Sequence, residues 1–249
     1  MAVFVTGDIH SEIYPRFNTK NFAAQKELTK NDYVIVLGDF GIPWANDKSD
    51  QHLLKELQKR NFTTLFIDGN HENYDYLNSL PIETWNGGKI HKLNDSVYHL
   101  MRGQVFNIDD HTFFTFGGAR SHDISDGIIE NDKNVKENVK RMNRLGKHYY
   151  RINHVSWWKE EMPSESEFKE GIANLEQHNF RIDFVLTHDA PISVRAQMLV
   201  SDTDPLSEYL QTIKQKIEYK CWYFGHMHRD MPFFWEKCVA MYETISQIT

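Results

Sequence analysis

Five short polar clusters carry the residues that could do chemistry in this 249-residue chain. They are Gly7-Asp8-Ile9-His10, Gly38-Asp39-Phe40, Gly69-Asn70-His71-Glu72, Thr187-His188-Asp189 and Gly225-His226-Met227-His228. Asp8, His10, Asp39, Asn70, His188, His226 and His228 offer carboxylate, imidazole and carboxamide oxygen donors. Such a mixed nitrogen and oxygen set without thiolate suits Mn, Fe, Zn or Ni at a hydrolytic centre, not a cysteine-rich structural zinc site. Seven ligands exceed the four to six positions of one ion. Two ions sharing a bridging carboxylate account for the surplus. Ions roughly 3.5–4 Å apart can activate a bridging hydroxide and clamp a phosphoryl group for in-line attack. Singly the clusters are weak signals, because an Asp-x-His triplet arises about once by chance in a chain so rich in histidine. Their order, placement and donor types together carry the weight.

The elements that must position them are legible as short apolar runs. Ala2–Val5, Tyr33–Leu37, Thr64–Ile67, Phe184–Leu186 and Cys221–Phe224 each run directly into one cluster. Runs this short, bounded by Gly and Asp, read as buried strands. Five strands thus deliver donors from their C-terminal ends, where open α/β sheets place their sites. Between the first strands lie helical patterns, around Phe22 to Leu28 and from Asp47 to Arg60, the latter with a Leu53, Leu54, Leu57 stripe. The alternation predicts βαβ crossovers and a largely parallel sheet. Asp8 to Asp39 and Asp39 to Asn70 span the same 31 positions. The intervening residues differ, so this is one crossover length used twice rather than an internal repeat. From about position 90 the pattern changes to strand candidates at Val97–Leu100, Gln104–Ile108 and His111–Phe116, an expected antiparallel meander opening a second sheet. Ser164 to Glu167 has capping-box form and predicts a helix to about His178. Another helix is expected around Leu206 to Ile217, and strands over the aromatic tail from Met231 to about Ile245. The segment 121–163, highly charged over Asn131 to Leu145 and carrying Trp157-Trp158, reads as an inserted cap. No low-complexity linker divides the chain, so the expectation is one domain over 1–249 with that insertion.

Composition sets limits. Apolar residues at 40%, with 13% aromatics, suffice for a sizeable core, and the formal charge of −7 provides no global basic field for nucleic acid. Cys221 and Cys238 are not in a CxxC spacing and read as two reduced core thiols. No apolar run approaches ~18 residues, and the chain opens directly on strand residues. A soluble, cytoplasmic protein with no membrane partner is expected.

The motifs D-x-H, GD, GNHE, H and GHMH, in this order from Asp8 to His228, resemble those of the calcineurin-like metallophosphoesterases, and the stretches Gly118-Ala119-Arg120-Ser121-x-Asp123 and Trp157-Trp158-x-x-Glu161-x-Pro163 resemble a group of small bacterial members. The resemblance implies an α/β (α+β) fold of two mixed β-sheets packed face to face as a sandwich flanked by helices. It implies one metal on Asp8, His10, Asp39 and His228. The other falls on Asp39, Asn70, His188 and His226, with Asp39 bridging. It also implies that His71 is no ligand but faces the phosphate, as general acid to the leaving oxygen or as a transition-state stabiliser. One branch of that family follows its GD with an Asp-Arg pair that grips phosphate. Phe40-Gly41-Ile42-Pro43-Trp44 stands here instead, which argues against a Ser/Thr protein phosphatase of that branch.

The remaining candidates divide between chemistry and plain structure. Arg120 could replace the missing arginine by bidentate contact with substrate, and a surface salt bridge is an equal reading. Arg144 and Arg151 are weaker candidates of the same kind. Trp157 and Trp158 suit packing of the cap better than stacking on a nucleobase. His122 reads as an ordinary exposed loop histidine rather than a substrate contact. Glu72 and Asp68 read as orienting or loop acids, and His91, His99 and the other histidines as structural or surface. The expected activity is dinuclear metal-dependent hydrolysis of a small phosphorylated or nucleotide substrate. A phosphodiesterase or nuclease acting on nucleic acid is the alternative. A non-catalytic protein-binding scaffold is a more distant one, because such proteins lose ligands or the GNH histidine and here all are present.

Overall fold

The computed structural model describes residues Met1–Thr249. Its strands are β1 (Val3–Thr6), β2 (Tyr33–Leu37), β3 (Thr63–Ile67), β4 (Ile82–Trp85), β5 (Gly88–Asn94), β6 (Val97–Leu100), β7 (Gln104–Ile108) and β8 (His111–Phe116). After them come β9 (Gly127–Ile129), β10 (Tyr150–Ile152), β11 (Phe184–Thr187), β12 (Cys221–Phe224), β13 (Met231–Phe233), β14 (Cys238–Ala240) and β15 (Ser246–Gln247). One mixed sheet has the order β15-β1-β2-β3-β6-β5-β4, and a second has the order β13-β14-β12-β11-β8-β7. β1, β2, β3 and β6 run parallel in the first, as do β8, β11, β12 and β14 in the second.

Alternation along each strand explains the layering. Val3, Val5, Ile35, Leu37, Leu65 and Ile67 meet Phe106, Phe113, Phe184 and Leu186 of the other sheet in one buried cluster. Their neighbours Phe4, Val34, Val36 and Phe66 turn the opposite way, onto Ile13, Phe17, Leu54, Leu57 and Leu77. On the far side, Phe114, Phe116, Val185, Trp222 and Phe224 pack on Leu175, Leu206, Leu210 and Ile213. Strands buried on both faces must be apolar at every position, which is why they appear in the sequence as unbroken runs. The result is the expected sandwich of two mixed sheets between helical layers.

Helix termini follow their sequence signals. Asp47 caps Lys48–Gln58 by accepting from Ser49 and Asp50, and Ser164 with Glu167 forms the expected capping box of Glu165–Gln177. Three expectations need correction. The Phe22 to Leu28 pattern forms only a short 3-10 turn, Ala23–Lys26, and the chain then reverses through Thr29–Asp32, where Asp32 accepts from the Thr29 amide and hydroxyl just before β2. Val97–Leu100 does not open the second sheet. It pairs parallel with β3 in the first, and the chain changes sheets at Met101–Gly103, where Gly103 takes φ +71°. The aromatic tail, expected as strands from Met231 to about Ile245, is strand only over β13 and β14 of the second sheet, joined by the exposed turn Phe234–Glu236, and β15 beyond it pairs with β1 of the first sheet. Strands β4 and β5, an antiparallel hairpin at the edge of the first sheet, carry no strong sequence pattern of their own. Within 121–163, β9 and β10 form a separate two-stranded parallel sheet beside the helix Val135–Arg144, which buries only Met142. Cys221 and Cys238 are free thiols. No helix is long and apolar enough to cross a membrane.

Candidate metal centre

The parallel strands β1, β2 and β3 of one sheet and β11 and β12 of the other end at a common edge, and the five clusters meet there. Four of the seven candidate donors have left-handed backbones: His10 at φ 44°, Asp39 at 47°, His226 at 63° and His228 at 47°. Such conformations cost a residue with a Cβ of order 1–3 kcal/mol and persist where the surrounding structure over-determines them. Here the surroundings do. Glu72, buried, accepts from the Phe40 and Gly41 amides at 2.7 and 3.1 Å and so fixes the turn after Asp39. The His71 amide donates to Asp39 Oδ1 at 2.7 Å, and the His226 amide to Asp8 Oδ1 at 3.0 Å. Arg16 spans the carbonyls of Asp8 and Tyr242, tying the first cluster to the carboxy-terminal segment. Glycines permit the close approach. A Cβ at Gly69 would lie 2.2 Å from Asp39 Oδ1, and one at Gly225 would lie 2.5 Å from Asp8 Oδ1.

Two groups of donor atoms result, each with its members mutually within 4.8 Å: Asp8, His10, Asp39 and His228, and Asp39, His188 and His226. Asp39 belongs to both. In the first group, His10 Nε2 lies 3.3 Å from His228 Nε2 and 3.6 Å from Asp39 Oδ2. His228 Nε2 is 3.0 Å from Asp8 Oδ2, yet that buried oxygen has no aligned hydrogen bond. An orphaned buried carboxylate oxygen surrounded by imidazole nitrogens is the arrangement a cation completes. In the second group, His188 Nδ1 donates to the Leu37 carbonyl at 2.7 Å, which turns its Nε2 lone pair toward Asp39 Oδ1 and Asn70 Oδ1, each at 3.3 Å. Three acceptors facing one another need a shared positive charge. The residues therefore fit divalent metal.

The electrostatics agree. Burial would raise the Asp39 carboxyl, but His188 beside it outweighs burial and holds it well below the usual range. His188 is lowered by burial, and the Asp39 and Asp8 carboxylates more than reverse this, pushing it up, so the two carboxylates draw a positive charge to this point, a proton on His188 or a cation in its place. Burial, reinforced by His188, pushes His226 well down, so it is neutral, as a ligand must be. Burial also lowers His71, with Asp39 opposing. That half-buried ring sits edge-on to His10 at 5.3 Å and tilted against Trp44 at 6.2 Å. It belongs to neither donor group.

The other candidates sort clearly. Arg120 is exposed and makes no ion pair within the molecule. Arg151 is committed to Asp123, and Arg144 lies on the exposed helix. Trp158 is buried against Trp44 and donates from Nε1 to Asp75 at 2.7 Å, which is packing rather than an open stacking face. Asp68 is fully buried, bonded by Arg102 at 2.7 Å, Tyr74 at 2.9 Å and His99 at 3.1 Å. His91 and His99, expected to be structural or surface residues, form a buried pair at 3.1 Å. Sequence patterns did not point to Trp44 or Arg16, which hold no motif position. A surface depression of about 740 Å³ around Arg181, Lys214 and Trp235 contains none of these groups, whereas a cleft of about 250 Å³ opens beside Asp8, His10 and Tyr242.

A family model for the calcineurin-like phosphoesterases matches residues 1–230, and the chain belongs to that family of metal-dependent phosphoric ester hydrolases. Its relatives include lariat debranching enzyme A of Xenopus laevis, 24% identical over 259 aligned positions that take in 92% of this chain and 43% of that protein. The chain thus spans less than half the length of that relative. Among solved structures, a phosphopantetheinyl hydrolase from Mycobacterium tuberculosis aligns with 97% of this chain and 88% of its own, at 15% identity and a TM-score of 0.45.

Proposed function

We propose that this chain hydrolyses phosphate esters at a dinuclear centre, with one ion held by Asp8, His10, Asp39 and His228 and the other by Asp39, Asn70, His188 and His226. The observation that carries this reading is the membership of Asp39 in both donor groups. Two divalent ions bound there, of Mn, Fe, Zn or Ni, supply water activation and neutralise charge on a phosphoryl group. The protein's own part is to fix the donors, exclude alternative geometries and place His71 beside the reacting phosphate. His71, half-buried and outside both groups, donates to the leaving oxygen or stabilises the transition state. Arg120, exposed and without an ion pair, is free to contact the substrate phosphate.

A small phosphorylated or nucleotide substrate is favoured, given the charge of −7 and the half-buried Trp44 ring beside His71. On this reading the chain is one catalytic domain, and 121–163 caps the cleft. A phosphodiesterase acting on nucleic acid is the second reading, supported by the match to a debranching enzyme over nearly the whole chain.

Hydrolysis of p-nitrophenyl phosphate beside bis-p-nitrophenyl phosphate separates the two. The protein would be stripped of metal and reloaded with Mn²⁺, with Asp39→Asn as control. Faster monoester cleavage supports the small-substrate reading, and faster diester cleavage the second. No metal-dependent turnover of either would overturn both.

A further inference from the structure

The motif Gly118-Ala119-Arg120-Ser121-His122-Asp123 is built as a clamp around His122. Ser121 donates through its amide and hydroxyl to the two oxygens of Glu161, at 3.0 and 2.5 Å, and Glu161 is only 2% exposed. On the other side Asp123 is paired with Arg151 of β10. Gly118 takes φ +88° and lets the Glu161 carbonyl come within 2.6 Å of where a Cβ would lie. A loop residue held on both flanks is aimed, and His122 points at the metal centre. Its Nε2 lies 3.0 Å from Nε2 of His226, with the two rings stacked at 5.0 Å and 26°.

A neutral imidazole has one lone pair for a metal and one N–H that needs an acceptor, and that acceptor fixes the tautomer and the ring plane. His188 meets this need with the Leu37 carbonyl. For the His226 ring, His122 is the sole hydrogen-bond partner. His122 also stands outside the set of donors that lie mutually within 4.8 Å. We propose that His122 is a positioning residue for the second metal. Its Nε2 accepts the His226 Nε2–H bond and so directs the other ring nitrogen of His226 at the ion. The insertion is therefore coupled to the centre through one hydrogen bond. This inference rests on the dinuclear reading above.

The test measures Mn²⁺ uptake by chelator competition and the visible spectrum of the Co²⁺-loaded protein, for wild type, His122→Ala and His122→Gln. His122 is exposed, so the metal-free variants should unfold at the wild-type temperature. Wild type should bind two ions. His122→Ala should bind the weaker one 10- to 100-fold less tightly, with an altered Co²⁺ spectrum, the range typical when a ligand histidine loses its partner. His122→Gln, whose amide oxygen can accept the same hydrogen bond, should recover most of the loss. Wild-type affinity for both ions in His122→Ala would overturn the proposal. Failure of His122→Gln to recover would also overturn it, by showing that the imidazole itself ligates. Fewer than two ions in wild type would remove the dinuclear reading, an outcome visible without any variant.

Discussion

Gly38 shows how tightly the centre depends on its backbone. The residue takes φ +88°, and a Cβ there would lie 2.1 Å from Nδ1 and 2.4 Å from Cγ of His188. Neither side can yield cheaply. His188 is fully buried, and its Nδ1 holds the Leu37 carbonyl at 2.7 Å. In Gly38→Ala the imidazole must swing away, leaving a buried carbonyl unpaired at about 1–3 kcal/mol. The left-handed backbone adds about 1–2 kcal/mol. Together the metal-free protein should lose about 2–5 kcal/mol. Gly146 is the control, since it also has a positive φ, +68°, but nothing within 4 Å of an added Cβ. Gly146→Ala should show the backbone cost alone. Urea unfolding of both variants would isolate the steric part. Chelator competition should then show the second ion bound about tenfold to a hundredfold more weakly in Gly38→Ala, because each tenfold corresponds to about 1.4 kcal/mol of displaced ligand. If Gly38→Ala matches Gly146→Ala in stability and wild type in metal affinity, the packing of the second cluster onto His188 has been misjudged.

His71→Ala should leave metal uptake within twofold of wild type and lower the turnover of a poor leaving group about 10²- to 10⁴-fold, the range of general acid–base assistance. Equal turnover would remove His71 from the chemistry. Burial and its neighbour His99 push His91 down to about 4, so the folded state holds it neutral where the unfolded chain, at about 6.5, protonates it. A depressed folded value means stability that is complete above about pH 6.5 and lost as pH falls toward 4. The loss amounts to about 2 kcal/mol at pH 5. Denaturant unfolding of wild type and His91→Gln at pH 7.5 and pH 5 should show the wild type losing about that much more than the variant. Parallel losses would contradict the assignment. Glu72→Ala frees the Phe40 and Gly41 amides in a buried turn and should cost about 2–5 kcal/mol by thermal or urea unfolding. A loss under 0.5 kcal/mol would mean that Glu72 does not hold the turn.

Much of the architecture was legible because both faces of its central strands are buried. Val34 to Leu37 and Leu65 to Ile67 had to be apolar throughout, and the polar clusters had to follow where the strands end. The candidate donors that the fold brings together stood out for the same reason, since side chains gathered at strand ends leave short motifs behind apolar runs. What escaped was set by tertiary context. Val97–Leu100 has the pattern of any half-buried strand, and only the reversal at Gly103 decides which sheet it joins. Asp68, His91, His99 and Arg102 form one buried polar network from positions up to 34 apart, and no spacing rule announces such a network. His122 reads as a loop histidine in the sequence because what aims it is remote: Glu161 holds Ser121 from 40 positions on, and Arg151 holds Asp123 from 28 positions on.

The central claim is two ions sharing Asp39, and anomalous scattering from crystals of the Mn²⁺-loaded protein tests it most directly. The account predicts two peaks about 3.5–4 Å apart. One should lie among Asp8, His10, Asp39 and His228, the other among Asp39, Asn70, His188 and His226, and both should weaken in Asp39→Asn. A single peak at full metal saturation, or two peaks without Asp39 between them, would contradict it.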